Sequence, residues 1–305
     1  VNINRGHLLT EQANRASENL DQLSPLELAA LFAAEDKLPQ QAVEAAVPAL
    51  AAAIEAISAK LRNGGRLFYL GAGTSGRLGV LDAVECPPTF CSDPALVQGL
   101  IAGGPPALLR SSEGLEDLFE AGRTDLETSN FGTADALVGI AAGGTTPYVL
   151  GGLSFAKEIG ALAVAMACVP TEQAQMPCHI DIRLVTGAEL LTGSTRLKAG
   201  TATKMALNII STGVMVSLGK VYGNRMVDVA VTNAKLEDRA LRILADLAGV
   251  ERKQGLQLLV EANGSVKVAL LMVAAQLPAL EARGLLMATN GNLRHALEKN
   301  GYRLK

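Results

Sequence analysis

The sequence predicts an α/β fold: a parallel sheet sandwiched by helices, with a small C-terminal helical region. Three observations predict it. Short, continuously apolar runs recur between residues 66 and 185, most of them separated by helical stretches. Strands buried on both faces read as unbroken apolar runs, and parallel neighbours need helical crossovers. Two of the runs pass directly into Gly-rich, hydroxyl-bearing loops. From about Lys235 the strand signals stop, and Gly and Asn punctuate a series of short helical patterns.

The elements follow in order. Residues 1–23 are polar and read as an arm or irregular segment. Ser24-Pro-Leu-Glu27 is a capping box with Pro at the first helical position, so LELAALFAAEDK is a helix. QAVEAAVPALAAAIEAISAKLRNGG is a second, closed by Gly64-Gly65, with Pro48 either kinking it or starting a fresh helix. Strands are expected at Arg66–Leu70, 97–103, 136–142, 161–169 and 180–185, and helices after the first loop, from about Pro147, and over Gly200–Gly219. Residues 220–234 are the candidate boundary, giving an α/β domain over 1–230 and a helical domain over 231–305. That tail is expected either to bind a partner or to cap the sheet.

Composition narrows the function. The 305 residues are 49% hydrophobic and 19% charged, which excludes disorder as a description of the whole. The net charge is −3, with six Phe, four Tyr and no Trp. A general nucleic-acid binder needs a basic surface and stacking aromatics, so that class is set aside. No apolar run approaches the ~18 residues of a membrane span, and the opening VNINRGHLLTEQ has no signal-peptide pattern. A soluble, cytoplasmic protein is expected. Cys86, Cys91, Cys168 and Cys178 are too sparse for a disulfide framework, and with His7, His179 and His295 scattered they lack zinc spacing. No metal site is expected.

Gly71-Ala-Gly-Thr-Ser-Gly-Arg-Leu-Gly79 is the strongest local signal. Glycines let backbone approach a ligand, Thr74 and Ser75 offer hydroxyls, and a helix N-terminus favours an anion. The acidic residue of a dinucleotide site is missing some twenty residues later, and so is the Lys-Ser/Thr of a Walker loop. Phosphate on a small sugar fits this loop better than a nucleotide, although an ordinary strand–helix turn would use the same glycines. A similar form recurs in LVGIAAGGTTPYV, and two such loops at the carboxyl ends of strands would wall one pocket. Thr192–Lys204 gathers hydroxyls with Arg196, Lys198 and Lys204 before an apolar helix. It suits a phosphorylated, polyhydroxylated ligand or a solvated capping loop equally. Candidate acid–base groups are Glu85, at the chain turn expected before Cys-Pro-Pro, and Glu113 and Glu116, three apart and so on one side of a helix. The serines lack a His/Asp set for acyl transfer.

LFYLGAGTSGRLGVLDAVECPPTF, LVQGLIAGG, EGLED, TGAELLTGSTRLKAGTATK, NIISTGVM and GKVYGNRMVDVAVTNAKL, together with the early TEQAN and AAEDK, carry a resemblance. From about residue 10 to the C-terminus the chain resembles the N-acetylmuramic acid 6-phosphate etherases, relatives of the glucokinase regulatory proteins on the sugar isomerase (SIS) fold. The resemblance implies cleavage of the lactyl ether to N-acetylglucosamine 6-phosphate and D-lactate, with no metal or nucleotide cofactor. It implies Glu85 as the acid and Glu116 as the base. Gly73, Thr74, Ser75 and Gly76, with Thr145, Thr146, Ser194, Thr195 and Lys198, would hold the phosphate and sugar hydroxyls. A homodimer is the partner expected from the resemblance.

One stretch departs from the family. Its usual Ala-Ser-Gly-Arg-Thr-Pro-Tyr reads here Ala142-Gly143-Gly144-Thr145-Thr146-Pro147-Tyr148, so a Ser hydroxyl and an Arg charge are gone from a loop that commonly grips phosphate. That change favours a non-catalytic phosphosugar sensor, the regulatory branch of the superfamily. Both carboxylates are present, which favours the lyase. An aldose–ketose isomerase would share the fold and base, but ECPPTF and TGSTRLKAGT match the etherase branch.

Overall fold

The structure is a computed structural model describing residues 5–110, 114–229, 231 and 233–304. It divides into two compact units, one formed by Val1–Val84 and Ala95–Thr212, the other by Glu85–Pro94 and Gly213–Lys305. The division falls earlier than the expected boundary at 230, and the 85–94 segment joins the helical unit. An apolar helix that begins in one unit and ends in the other leaves no polar linker to mark the change.

In the first unit, 3₁₀ turns at Leu9–Glu11, Arg15–Ser17 and Leu20–Gln22 precede α1 (Pro25–Glu35). The opening segment is not a free arm, because Leu8 is buried in the sheet's main apolar cluster. The capping box forms as expected: Ser24 N–H donates to Glu27 Oε2 at 2.8 Å, and Ser24 Oγ accepts from Glu27 N–H. α2 (Lys37–Ala45) and α3 (Val47–Arg62) are separate helices, so Pro48 starts a fresh one. Then come β1 (Leu67–Gly71), α4 (Gly73–Phe90), β2 (Val97–Ile101), α5 (Pro106–Leu109), a 3₁₀ turn at Leu115–Asp117 and α6 (Phe119–Thr128). β3 (Ala136–Ile140), α7 (Pro147–Glu158), β4 (Leu162–Ala167), β5 (Ile180–Arg183) and α8 (Lys198–Ser217) follow.

All five expected strands form one parallel sheet in the order β2-β1-β3-β4-β5. Every residue of β1 and β3 is buried, as continuous apolar runs require. Side chains alternate between the two faces. A Cβ on Gly79 of α4 would stand 2.8 Å from Tyr69 Cβ, whereas one on Gly152 of α7 would collide with Leu70 Cδ2. Tyr69 and Leu70 are neighbours on β1, so α4 and α7 cover opposite faces.

In the second unit, α9 (Ala234–Ala248), α10 (Arg252–Glu261), α11 (Val266–Ala275), α12 (Ala279–Met287) and α13 (Leu293–Lys299) realise the expected helices. Asn233, Ser265 and Asn292 cap three of them. Their common centre is α11, buried from Val266 to Met272. Lys267 is buried there, donating to Asp228 Oδ2 at 2.5 Å and to the Gly291 carbonyl at 2.6 Å. No single helix among the described residues is long and apolar enough to cross a membrane.

Candidate active site

The strand order fixes where a ligand can sit. β1 connects outward to β2 on one side, and β3 continues to β4 on the other. The crevice therefore opens beyond the carboxyl ends of β1 and β3. Register sets Gly71, the last residue of β1, beside Ile140, the last of β3. Both Gly-rich loops thus leave the sheet side by side.

At the first loop the glycines divide their work. A Cβ on Gly71 would meet Gly76 N at 2.6 Å, and one on Gly76 would meet Gly71 O at 2.6 Å, so strand end and first helical turn touch backbone to backbone. Gly73 (φ +52) is different, with nothing within 4 Å of the place its Cβ would take. Thr74 and Ser75, both half-buried, sit in the first turn of α4 beside that open space.

At the second loop Gly144 has φ +70 and its N–H donates to the Ala141 carbonyl at 2.8 Å. Thr146 occupies the N-cap of α7 without a side-chain cap bond, leaving its hydroxyl and that of half-buried Thr145 available at the crevice.

In the 192–204 region the start of the apolar helix is capped from within the protein. Glu189, fully buried, accepts from the N–H groups of Lys198 (3.0 Å) and Ala199 (2.9 Å), so an internal carboxylate already satisfies the start of α8. Burial pushes the Glu189 carboxyl above its ordinary range. Lys198 is buried as well. Its Nζ donates to Glu35 Oε2 at 2.7 Å, and Asn14 Nδ2 donates to the same oxygen at 2.9 Å. The Lys198 bond, reinforced by Asn14 and the lysine charge, holds Glu35 below the usual carboxylate range against its partial burial. Arg196 and Lys204 are the exposed cations. With Thr74, Gly200 and Thr201 they line a cavity of about 300 Å³, which joins the first Gly loop to this region. Half-buried Ser194 and Thr195 turn the chain into α8 through backbone bonds to Leu197 and Gly200.

The two carboxylates occupy other settings than expected. Glu85 is on α4, which runs on through Pro87 and Pro88 to Phe90, rather than at a turn. Those prolines remove donors only in the last turn, and the helix stops at Cys91, whose φ is +47. Glu116 is exposed in the 3₁₀ turn Leu115–Asp117 after Gly114 (φ +81), not on an α-helix. Glu113 lies outside the described residues. Sequence reasoning missed Asp82, three residues before Glu85. It is buried, accepting from Tyr69 OH (2.9 Å), Asn208 Nδ2 (2.8 Å) and Ser211 Oγ (3.1 Å), and so pins α4 to β1 and α8. Burial raises its carboxyl pKa. No cluster of three His, Cys, Asp or Glu suited to a metal occurs among the described residues.

Parallel strands, a β1/β3 crevice and hydroxyl-rich loops at its mouth define a sugar-phosphate-binding α/β domain. Residues 49–157 match the family model described as the glucokinase regulatory protein N-terminal SIS domain. The N-acetylmuramic acid 6-phosphate etherase of a Synechococcus species is 70% identical over 300 residues, covering 98% of this chain and 95% of its own. Those of Parasynechococcus marenigrum and Synechocystis are 66% and 60% identical, covering 100% and 96% of this chain and 96% of each relative. Among solved structures, phosphoheptose isomerase from Neisseria gonorrhoeae overlaps 62% of this chain and 97% of its own at a TM-score of 0.45 and 16% identity. The chain belongs to the N-acetylmuramic acid 6-phosphate etherase family.

The buried pair gives a stability test. Glu35→Ala strands a buried ammonium and should cost about 3 kcal/mol at pH 7. A carboxyl held low stabilises the fold above its unfolded pKa and stops doing so as pH falls through the folded value. Urea unfolding should therefore show wild type and variant converging as pH falls below about 4.5.

Proposed function

We propose that this chain is a carbon–oxygen lyase that converts N-acetylmuramic acid 6-phosphate to N-acetylglucosamine 6-phosphate and D-lactate. The observation that carries this reading is identity of 60–70% to etherases over nearly the whole chain. The ligand class follows the crevice, where hydroxyls and exposed cations suit a phosphorylated sugar.

The chemistry needs two carboxyl groups in opposite protonation states. Ring opening exposes an aldehyde at C1, which acidifies the proton on C2. Glu116, as carboxylate, takes that proton. The electron pair becomes the C2–C3 double bond while the C3–O bond breaks, and Glu85 delivers a proton to the departing lactate oxygen. Water then adds to C3 and a proton returns to C2. The sequence is redox-neutral, and its developing charge is spread over the carbonyl. Both carboxylates are exposed in the chain as it stands.

Thr74 and Ser75, between Gly73 and Gly76, are assigned to the phosphate and sugar hydroxyls along with Thr145, Thr146, Ser194 and Thr195. Lys198 can reach the ligand only by leaving Glu35. We therefore assign it to positioning the loop, and recruitment of the anion to Arg196 and Lys204. We propose a cytoplasmic enzyme, because a phosphosugar substrate is charged and does not cross a membrane unaided. Two copies are proposed to associate through α4, where Leu81 and Val84 are 49% and 59% exposed. Light scattering giving the monomer mass of 31.6 kDa at working concentration would contradict the dimer.

Lactate release from N-acetylmuramic acid 6-phosphate tests the activity. Wild type should release it, and Glu85→Gln and Glu116→Gln should each slow release at least about a hundredfold, the scale of general acid–base catalysis. Absence of release, with the phosphosugar still raising the melting temperature, would replace the lyase with a sensor.

A further inference from the structure

The substrate proposed above carries two anions, a phosphate and the carboxylate of its lactyl arm. They ask different things of a protein. A phosphate takes several donors at once, as a Gly-rich helix start offers. A lactyl group is a methyl beside a single carboxylate, so it suits an apolar wall with cations at its rim.

The cavity of about 300 Å³ between the opening turns of α4 and α8 has that second character. Thr74 and Leu78 face it from α4, four residues apart, and Gly200 and Lys204 face it from α8 with the same spacing. A Cβ on Gly200 would stand 3.5 Å from Thr74 Cγ2, so the Thr74 methyl lies against α8. With Leu78 and Met205 it makes an apolar wall. Arg196 and Lys204, both exposed, supply the charge. Among the described residues that line the cavity, none is a carboxylate.

Backbone donors are missing from the α8 side. The N–H groups of Lys198 and Ala199 donate to Glu189, and those of Gly200 and Thr201 to the carbonyls of Thr195 and Leu197. The four N–H groups that a helix start leaves open are all taken, so α8 brings side-chain charge and no cradle for phosphate. Lys204 also lies within electrostatic reach of buried Asp82, whose oxygens accept from Tyr69, Asn208 and Ser211.

We propose that this cavity is the lactyl subsite, in which Arg196 and Lys204 hold the lactyl carboxylate and Leu78 and Met205 receive its methyl. This deepens the lyase reading and rests on the substrate assigned there. It makes the two cations specificity-determining, because the product sugar phosphate has nothing to place between them.

Calorimetry on the Glu116→Gln protein, in which substrate persists, tests the subsite without turnover. The probes are N-acetylmuramic acid 6-phosphate, its neutral lactyl amide and N-acetylglucosamine 6-phosphate. Arg196→Met and Lys204→Met should each weaken binding of the acid at least about fivefold and leave N-acetylglucosamine 6-phosphate within about twofold. Lys204→Arg keeps the charge and should keep the acid within about twofold. With both cations present, the amide should bind at least about fivefold less tightly than the acid. Met205→Glu, which puts a like charge on the apolar wall, should weaken the acid and spare the amide. Equal losses for acid and N-acetylglucosamine 6-phosphate in the two Met variants would overturn the subsite and assign the cations to the phosphate. Equal affinity for acid and amide would overturn it as well, and lactate release by wild type would leave the lyase intact in either case. Selective loss of the acid in the Met variants, without lactate release by wild type, would defeat the lyase and leave the subsite standing.

Discussion

Parallel pairing is the constraint on which the rest depends. When every strand runs the same way, every strand must exit at the same edge, and the chain returns only through helices. The order β2-β1-β3-β4-β5 then parts the outgoing connections between β1 and β3 and leaves a crevice there. Backbone contact between Gly71 and Gly76 keeps the first turn of α4 tight on the strand end, which holds Thr74 and Ser75 at the mouth. The loop after β3 leaves at the same level because Gly71 pairs with Ile140. The exit loops gather at one edge because parallel topology leaves them nowhere else.

Buried charge organises the remaining walls. Glu189 satisfies the start of α8, and Lys198, on that first turn, reaches back to Glu35 at the end of α1. Asn14 joins Glu35 as well, so the opening segment, α1 and α8 share one carboxylate. Asp82 draws α4, β1 and α8 together in the same manner. Such groups are costly to bury and more costly to leave unpaired, so each arrangement tolerates little slack. Arg196 and Lys204 face outward and line the cavity that reaches the first Gly loop.

Much of this was legible in the sequence, and the reasons differ by element. β1 and β3 showed as apolar runs because both faces are buried, and Ser24–Glu27 showed as a helix start because capping is local chemistry. What local chemistry does not encode was misread. Pro87 and Pro88 suggested a break ahead of them, yet the helix runs on to Phe90 and stops only at Cys91, so Glu85 stays helical. The spacing of Glu113 and Glu116 suggested an α-helix, but Gly114 in the left-handed region sets a 3₁₀ turn instead. The ion pair of Lys198 was not visible because its partner, Glu35, lies 163 residues earlier. The polar opening segment resembled a free arm because Leu8, its anchor, is a single apolar residue among polar neighbours. Long-range pairings of this kind become visible only when the topology brings their ends to one edge.

The central claim is that this edge breaks an ether by elimination and re-hydration, and isotopes test it most directly. The reaction is run in heavy water enriched in oxygen-18, and the products are read by mass spectrometry and NMR. The account predicts deuterium at C2 and solvent oxygen at C3 of the N-acetylglucosamine 6-phosphate, with the original ether oxygen leaving in the lactate. Product that keeps its C2 proton and its C3 oxygen, with solvent oxygen in the lactate instead, would contradict it.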